Sequence, residues 1–147
     1  MLCKDVMSRK VFVCHETDSA GECARIMRDH GVGFLPVLDA ERLVSGVVTD
    51  RDLAVRVLAE GRSPRSPVSD FMTRDVRVCR ANDTLRAAER RMAAVKKSRL
   101  VVVDDQRRCV GVISLSDVAQ TDSRPLAGHV LYEVTRRRTT AAPPRGV

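Results

Sequence analysis

The chain has 147 residues, of which 44% are hydrophobic, 31% are charged and 3% are aromatic, and its formal net charge is +7. This length corresponds to one ordinary domain, and the scarcity of aromatic residues predicts an aliphatic core. No apolar run approaches the ~20 residues that span a bilayer, and the N-terminal sequence lacks the apolar stretch of a signal peptide. We therefore expect a cytoplasmic protein with no membrane association.

An internal repeat is the strongest pattern in the sequence. Residues 5–54 align without a gap on residues 70–119, with 17 identities in 50 positions. The chain is therefore a tandem duplication, and a site built by one copy should have a counterpart in the other. A unit of ~50 residues is too small to bury a secure core alone, so the two copies are expected to pack into one domain.

The first repeat predicts the element order β-α-β-β-α: strand 11–13, helix 17–29, strands 34–38 and 43–48, and helix 50–60. Ser19 and Glu22 have the spacing of a capping box at the start of the first helix. In the second helix, Leu53, Val57 and Leu58 are predicted to face inward.

The second repeat predicts the same order: strand 76–78, helix 83–95, strands 100–103 and 109–113, and a helix that begins near Ser116. We divide the chain into a first repeat, a proline-containing linker, a second repeat, a C-terminal helix and a disordered basic tail, over residues 1–61, 62–69, 70–124, 125–138 and 139–147. The fold class is α/β (α+β), with two β-α-β-β-α units packed about a pseudo-twofold axis.

Neither a metal site nor catalysis is predicted. The five cysteines do not occur at zinc-binding spacings, and His15, His30 and His129 are scattered along the chain. We expect a protein that is not an enzyme and requires no cofactor. Cys14 and Cys79 occupy the same position of the two repeats and are expected to be buried and reduced, with a thiol sensor as the alternative.

Two sets of motifs resemble those of the CBS domain (cystathionine β-synthase domain). The first repeat contains the runs Asp5-Val6-Met7-Ser8, Leu35-Pro36-Val37-Leu38-Asp39 and Gly46-Val47-Val48-Thr49-Asp50-Arg51-Asp52-Leu53. The second contains Asp70-Phe71-Met72-Thr73, Leu100-Val101-Val102-Val103-Asp104 and Gly111-Val112-Ile113-Ser114-Leu115-Ser116-Asp117-Val118. The chain is thus similar to a stand-alone tandem CBS pair, or Bateman module.

The resemblance implies a fold in which the sheets of the two repeats face each other, with two clefts between the repeats. In many members these clefts bind adenosine-containing ligands, namely AMP, ADP, ATP, S-adenosylmethionine or NAD. It also implies a homodimer and a separate, unidentified partner protein that is regulated by the module.

The candidate ligand-binding residues follow from these motifs. A strand that ends at Thr49 and passes into a helix offers free amide groups to a phosphate, while Arg51 adds charge and Asp52 suits the ribose hydroxyls. We expect the adenine to lie against the segment that contains Val32, Phe34, Leu35 and Pro36. The corresponding second set is Ser114, Ser116, Asp117, Lys97, Arg99 and Val101.

Three alternatives stay open at this point. Thr49 with Asp52, and Ser114 with Asp117, also have the spacing of helix capping boxes that need no ligand. The protein could then be a ligand-free stress-response or interaction protein with a structural or redox role. A second alternative is nucleic-acid binding through the arginine-rich tail, which contains Arg136, Arg137, Arg138 and Arg145.

Overall fold

The computed structural model of the protein describes residues 1–121 and 124–135. The elements up to the linker are α1 Cys3–Val6, β1 Cys14–His15, α2 Ala20–His30, β2 Phe34–Leu38, β3 Val44–Thr49, α3 Asp50–Asp52 and a π-helix Leu53–Leu58. Those that follow are a 3-10 turn Val68–Asp70, β4 Val78–Arg80, α4 Leu85–Val95, β5 Arg99–Val103, β6 Cys109–Ser114, α5 Leu115–Ala119 and α6 Arg124–Thr135. The basic tail and the last residues of the predicted C-terminal helix lie outside the described residues.

The strands form two three-stranded sheets of the same topology, in the orders β1-β2-β3 and β4-β5-β6. In each sheet the first two strands are parallel and the last two antiparallel. The pairing registers repeat as well: Phe34 lies opposite Thr49, and its equivalent Arg99 lies opposite Ser114. The inner faces of the two sheets meet in a cluster of aliphatic residues that includes Leu38, Val44, Val101 and Val103.

Each repeat completes its core with a segment that precedes the other repeat. The core of the second repeat contains Cys3 and Met7, which come from the beginning of the chain. The core of the first repeat contains Phe71 and Met72, which follow the linker. The two repeats are therefore interlocked, and the order of motifs along the chain does not correspond to the spatial units.

Two methionine–glycine contacts fix this exchange. A Cβ atom on Gly46 would lie 2.6 Å from Met72 Sδ and 3.1 Å from the Thr73 carbonyl oxygen. A Cβ atom on Gly111 would lie 2.6 Å from Met7 Sδ, in the equivalent arrangement. Glycine has no side chain, so the segment that carries each methionine can pack closely against the strand that contains Gly46 or Gly111. Each methionine side chain therefore reaches the core.

The capping box predicted for the first helix is confirmed. The Ser19 hydroxyl accepts a bond from Glu22 N–H (3.2 Å), and Glu22 Oε2 accepts one from Ser19 N–H (2.6 Å), which is the expected capping box. Helix α2 ends at Gly31, whose left-handed φ of 64° suits glycine. Cys14 and Cys79 are buried as expected, at 0% and 1% exposure.

Three expectations about elements are wrong. The first strand of each repeat begins later than predicted, because β1 pairs only through Cys14 and His15 and β4 only from Val78 to Arg80. Helix α4 begins at Leu85 because Thr84 caps it by accepting a bond from Ala87 N–H. Leu58 is 79% exposed rather than inward.

The exposure of Leu58 has a local cause. After α3 the backbone hydrogen bonds run over five residues, as in the bonds from Ala59 N–H to the Ala54 carbonyl and from Arg62 N–H to the Val57 carbonyl. A π-helix has more residues per turn than the α-helix that the sequence pattern assumes, so the apolar positions rotate relative to the core. Val57 stays buried at 7% exposure, and Leu58 turns outward.

Candidate functional site

A cleft of about 390 Å³ opens where β3 passes into α3. We call it the first cleft; residues 47–56 form one wall, and residues 73–77 and 97–99 form the other. The second wall belongs to the following repeat, so the cleft lies between the repeats. Its volume falls within the usual range for small-molecule sites, ~300–1,000 Å³.

The junction of β3 and α3 is held by a complete capping box. The Thr49 N–H and hydroxyl donate to Asp52 Oδ2 at 2.9 and 3.0 Å, and Asp52 N–H donates back to Thr49 Oγ1 at 3.1 Å. One carboxylate oxygen is therefore used by the helix cap. The other, Oδ1, lies 3.6 Å from Arg56 Nε, and the Asp52 side chain is only 14% exposed.

Arg56 connects this junction to the segment that carries Met72. Its Nη1 donates to the carbonyl oxygens of Phe71 at 3.0 Å and Met72 at 3.2 Å. Because those carbonyls belong to the exchanged segment, the arginine links Asp52 to the packing of the two repeats. A bound molecule that contacts Asp52 or Arg56 would therefore affect the hydrogen bonds between Arg56 and this segment.

The first cleft carries an excess of positive charge. Its described lining contains five cationic side chains and two carboxylates. Arg77 is paired with Asp75 at 2.8 Å. Arg51, Lys97 and Arg99 make no ion pair with any described residue, so three cations face the same opening. This arrangement favours an anion.

A second cleft, of about 260 Å³, lies at the pseudo-symmetric position. Residues 112–117 at the β6–α5 junction form one wall, and residues 8–12 and 31–34 form the other. Asp117 caps α5 as Asp52 caps α3: Ser114 N–H and its hydroxyl donate to Asp117 Oδ2 at 2.7 and 2.6 Å. The two clefts are therefore built on the same plan.

The second cleft is more apolar than the first. Among its described lining residues only Lys10 and Arg99 are basic, and Val11, Phe12 and Val32 face it. The His30 ring stacks on Phe12, with centroids 3.8 Å apart. Lys10 Nζ lies 5.7 Å from the centroid of the Phe12 ring, which places a cation beside an aromatic surface.

The structure regroups the residues that the sequence analysis assigned to each site. Lys97, which we expected beside Ser114 and Asp117, lines the first cleft with Thr49, Arg51 and Asp52. Val32, which we expected beside Thr49, lines the second cleft with Ser114 and Asp117. Phe34 and Arg99 lie beside their expected partners and also line the other cleft. The reason is the interlocking of the repeats, which puts the helix start of one repeat opposite the strand start of the other.

Four further candidates do not line either cleft. Leu35, Pro36 and Val101 are buried in the cores, and Ser116 is exposed away from the described lining. Sequence reasoning missed the segments 8–12 and 73–77. The sequence contains a pattern that could have indicated them, because each segment directly follows one of the two equivalent methionines, Met7 and Met72.

Phe34 and Arg99 occupy equivalent positions and line both clefts. Each is the first residue of the middle strand of its sheet. The pair therefore separates the two clefts at the centre of the molecule. A ligand that attracts the Arg99 guanidinium into one cleft would remove a positive charge from the other.

The described residues also limit other kinds of site. Within residues 1–121 and 124–135, no group of three or more His, Cys, Asp or Glu side chains is placed to hold a metal ion. No helix in that part of the chain has the length and apolar character needed to cross a membrane.

The family model of the CBS domain matches residues 3–59 and 68–123, and the chain belongs to this family. The structure is a CBS domain pair, with the mixed α+β architecture expected from the resemblance. The solved CBS domain pair of protein MJ0100, in complex with 5'-methylthioadenosine and S-adenosyl-L-methionine, is similar at a TM-score of 0.74 and 28% identity. That comparison covers 82% of this chain and 94% of the solved one.

Two relatives show the contexts in which such pairs occur. CBS domain-containing protein YhcV of Bacillus subtilis is 33% identical over 135 residues, which are 91% of this chain and 95% of YhcV. Inosine-5'-monophosphate dehydrogenase of Methanocaldococcus jannaschii is 32% identical over 124 residues, or 84% of this chain. This chain spans only 24% of that enzyme.

Proposed function

We propose that the protein is a regulatory module that binds an adenosine-containing ligand between its repeats and signals to a partner protein. The observation that carries the proposal is the first cleft, where Arg51, Lys97 and Arg99 surround a helix start that is capped by Asp52. The complex of the MJ0100 domain pair with two adenosine derivatives supports it. No catalytic role is proposed.

The residues of the first cleft are proposed to bind different portions of the ligand. The three cations neutralise a phosphate. The amide groups that we expected to be free at the start of α3 are already bonded within the protein, from Asp50 N–H to the Gly33 carbonyl, from Arg51 N–H to Asp50 Oδ1 and from Asp52 N–H to Thr49 Oγ1. Asp52 Oδ1 accepts hydrogen bonds from ribose hydroxyls while Oδ2 keeps its place in the cap. The adenine lies against the apolar wall of Val47 and Val55. AMP, ADP and ATP all combine these features, and NAD shares them.

The second cleft fits a less anionic adenosine derivative. It keeps the aspartate of the cap but is lined by fewer cations and by more apolar residues than the first cleft. S-adenosylmethionine, which carries a sulfonium instead of phosphates, has the corresponding charge. The two clefts are therefore proposed to differ in ligand preference, with phosphorylated ligands bound mainly by the first.

Ligand binding would act on the packing of the repeats. Both walls of each cleft come from different repeats, and Arg56 connects the first cleft to the exchanged segment. A ligand changes the protein only as far as it binds one arrangement better than another. We propose that a cytoplasmic partner protein, and the second subunit of a homodimer, detect this change.

A thermal-shift panel tests the function. AMP, ADP, ATP, S-adenosylmethionine, NAD and unphosphorylated adenosine are compared at a concentration of about 100 times the dissociation constant, where binding stabilises the native state by about 2.7 kcal/mol. A protein of this size should then unfold about 5 °C or more higher. Replacing Arg51 with Ser, the residue at the equivalent position 116, should reduce the shift with AMP and leave the shift with adenosine unchanged.

A panel without any shift would favour the ligand-free alternative. One observation supports that alternative: both capping boxes are completed by protein groups alone. In that case Asp52 and Asp117 would serve only to start α3 and α5. The protein would then act through its surface or its thiols.

A further inference from the structure

Four of the five cysteines form two buried pairs, one in each repeat core. Cys14 and Cys23 share the core of the first repeat, and Cys79 and Cys3 share the core of the second. Cys14 and Cys79 occupy equivalent strand positions, but their partners do not. Cys23 belongs to helix α2 of the same repeat, whereas Cys3 belongs to the exchanged segment that carries α1.

The segment that carries Cys3 packs into the second repeat. Its backbone is held by bonds from Cys3 N–H to the Asp83 carbonyl and from Lys4 N–H to the Ala81 carbonyl, both 2.9 Å. The Cys3 thiol also lies 3.9 Å from the Thr84 carbonyl oxygen. These contacts place Cys3 over the end of β4, which carries Cys79.

The environment makes Cys3 the more acidic thiol of its pair. The interaction with the Cys79 thiol lowers the pKa of Cys3, while burial and the negative charge of Asp83 act against it. The same interaction, together with burial, raises the pKa of Cys79. Cys23 and Cys14 show the same asymmetry, so access rather than acidity distinguishes the two pairs.

Access separates this pair from the other. Cys3 lies in the four-residue helix α1, and we expect it to become exposed by local opening of this short helix before the core of either repeat opens. Cys14 and Cys23 lie between β1 and α2, so they become exposed only when the core of the first repeat opens. All four thiols are otherwise buried, at 0–1% exposure.

We infer that Cys3 and Cys79 form a redox-active dithiol that peroxides convert to an intramolecular disulfide. The Cys3 thiolate attacks one oxygen of hydrogen peroxide, the O–O bond breaks, and hydroxide leaves and takes up the thiol proton as water. The Cys79 sulfur then attacks the sulfenic acid on Cys3, the S–S bond forms, and a second water carries away the Cys79 proton and the sulfenic oxygen. The two thiols lose two electrons, which reduce the peroxide.

The disulfide would fix the exchanged segment to the second repeat. That segment continues directly into Ser8 and Lys10, which line the second cleft. The cross-link also encloses the whole first repeat in a covalent loop, which restricts the unfolded chain. Oxidation is therefore expected to stabilise the fold and to restrict the wall of the second cleft, whether or not a nucleotide binds.

Peptide mapping tests the inference on the full chain. Reduced protein is treated with hydrogen peroxide under native conditions, alkylated and digested with trypsin without reductant. A Cys3–Cys79 disulfide joins peptide 1–4 to peptide 78–80, whereas a Cys14–Cys23 disulfide makes the single peptide 11–25 lighter by two hydrogens. We expect the joined peptide to form first, with peptide 11–25 still alkylated at both cysteines.

Two variants serve as matched controls. Cys3→Ser should abolish the joined peptide, and Cys23→Ala should leave it unchanged. Peroxide should raise the unfolding temperature of the wild type by about 5 °C or more, reversibly with dithiothreitol, and should not stabilise Cys3→Ser. The inference is overturned if peptide 11–25 is oxidised first, or if the joined peptide forms only in urea-unfolded protein.

Discussion

Each of the two capping aspartates has two roles: it stabilises the start of a helix, and it is proposed to bind a ribose. Asp52 and Asp117 each give one oxygen to the N–H and hydroxyl of the residue three positions earlier. The sequence predicted this spacing but could not separate the two parts, because a cap and a ribose contact need the same carboxylate. Only the cleft around the cap distinguishes them.

Replacing Asp52 with Asn should weaken binding of the best phosphorylated ligand in the panel. The amide oxygen can still accept the bonds of the cap, but the charged acceptor for ribose is lost. We expect a cost of roughly 1.5–3 kcal/mol, or about tenfold to a hundredfold in affinity. Calorimetric titration measures it, with Asp117→Asn as the control that should matter less for this ligand. If only Asp117→Asn abolishes binding, the preference of the two clefts is reversed.

Arg99 should affect both clefts at once, because it lines both. Arg99→Phe gives the second repeat the residue that the first has at position 34, and it should reduce the affinity for AMP by roughly fivefold to tenfold. The reduction should shrink as salt is added, since an exposed charge is screened. Arg62→Ala, a change in the exposed linker, is the control. Equal losses in Arg99→Phe and Arg62→Ala would indicate a nonspecific effect of charge.

At the level of elements, the hydrophobic periodicity predicted most helices and strands. It could not predict on which repeat the segments with Met7 and Met72 pack. Capping residues and Gly31 are local signals, so the ends of α2 could be predicted from the sequence. The pairing of Met7 with Gly111 could not, because two similar motifs allow each methionine to pack on either repeat. The composition of each cleft depends on that choice, which explains why Lys97 and Val32 line the cleft opposite to the expected one.

The glycines at the methionine contacts should not tolerate a larger side chain. Gly46→Ala and Gly111→Ala each place a methyl group within 2.6 Å of a buried methionine sulfur and 3.1 Å of a backbone oxygen. We expect each to lower the free energy of unfolding by about 1–3 kcal/mol. Urea denaturation measures the change.

Gly128 is the matched control for these glycines, because a Cβ atom added there meets nothing within 4 Å. It lies in helix α6, so Gly128→Ala should raise the free energy of unfolding by about 0.5–1 kcal/mol. Equal stability of Gly46→Ala and the wild type would contradict the close packing described here.

At the scale of the whole molecule, the two helical faces are covered differently. Helix α6 packs against α4 and α5 of the second repeat. The first repeat instead exposes Val55 at 50% and Leu58 at 79%. Met27, Val57 and Met92 are buried within the chain itself. Leu131 and Tyr132 of α6 are also exposed, and the apolar surface of Val55 and Leu58 lies beside the first cleft.

We predict a homodimer that depends on this surface. Light scattering at micromolar concentration should give the mass of two chains for the wild type and of one chain for Leu58→Asp, because a buried, unpaired carboxylate opposes association. Glu60→Lys changes the charge of a neighbouring exposed residue and should leave the dimer intact. A monomeric wild-type protein would contradict this prediction and the proposed role of a second subunit in signalling.

The interlocked cores also bear on how the chain arose by duplication. A single ancestral copy would have carried the segment with its methionine but would have lacked a neighbouring repeat to receive it. Two separate copies of the chain would have had to exchange these segments, so the ancestor would have been an obligate homodimer. Tandem duplication would then have turned an intermolecular exchange into an intramolecular one. It also freed the halves to diverge, as the contrast between Phe34 and Arg99 shows.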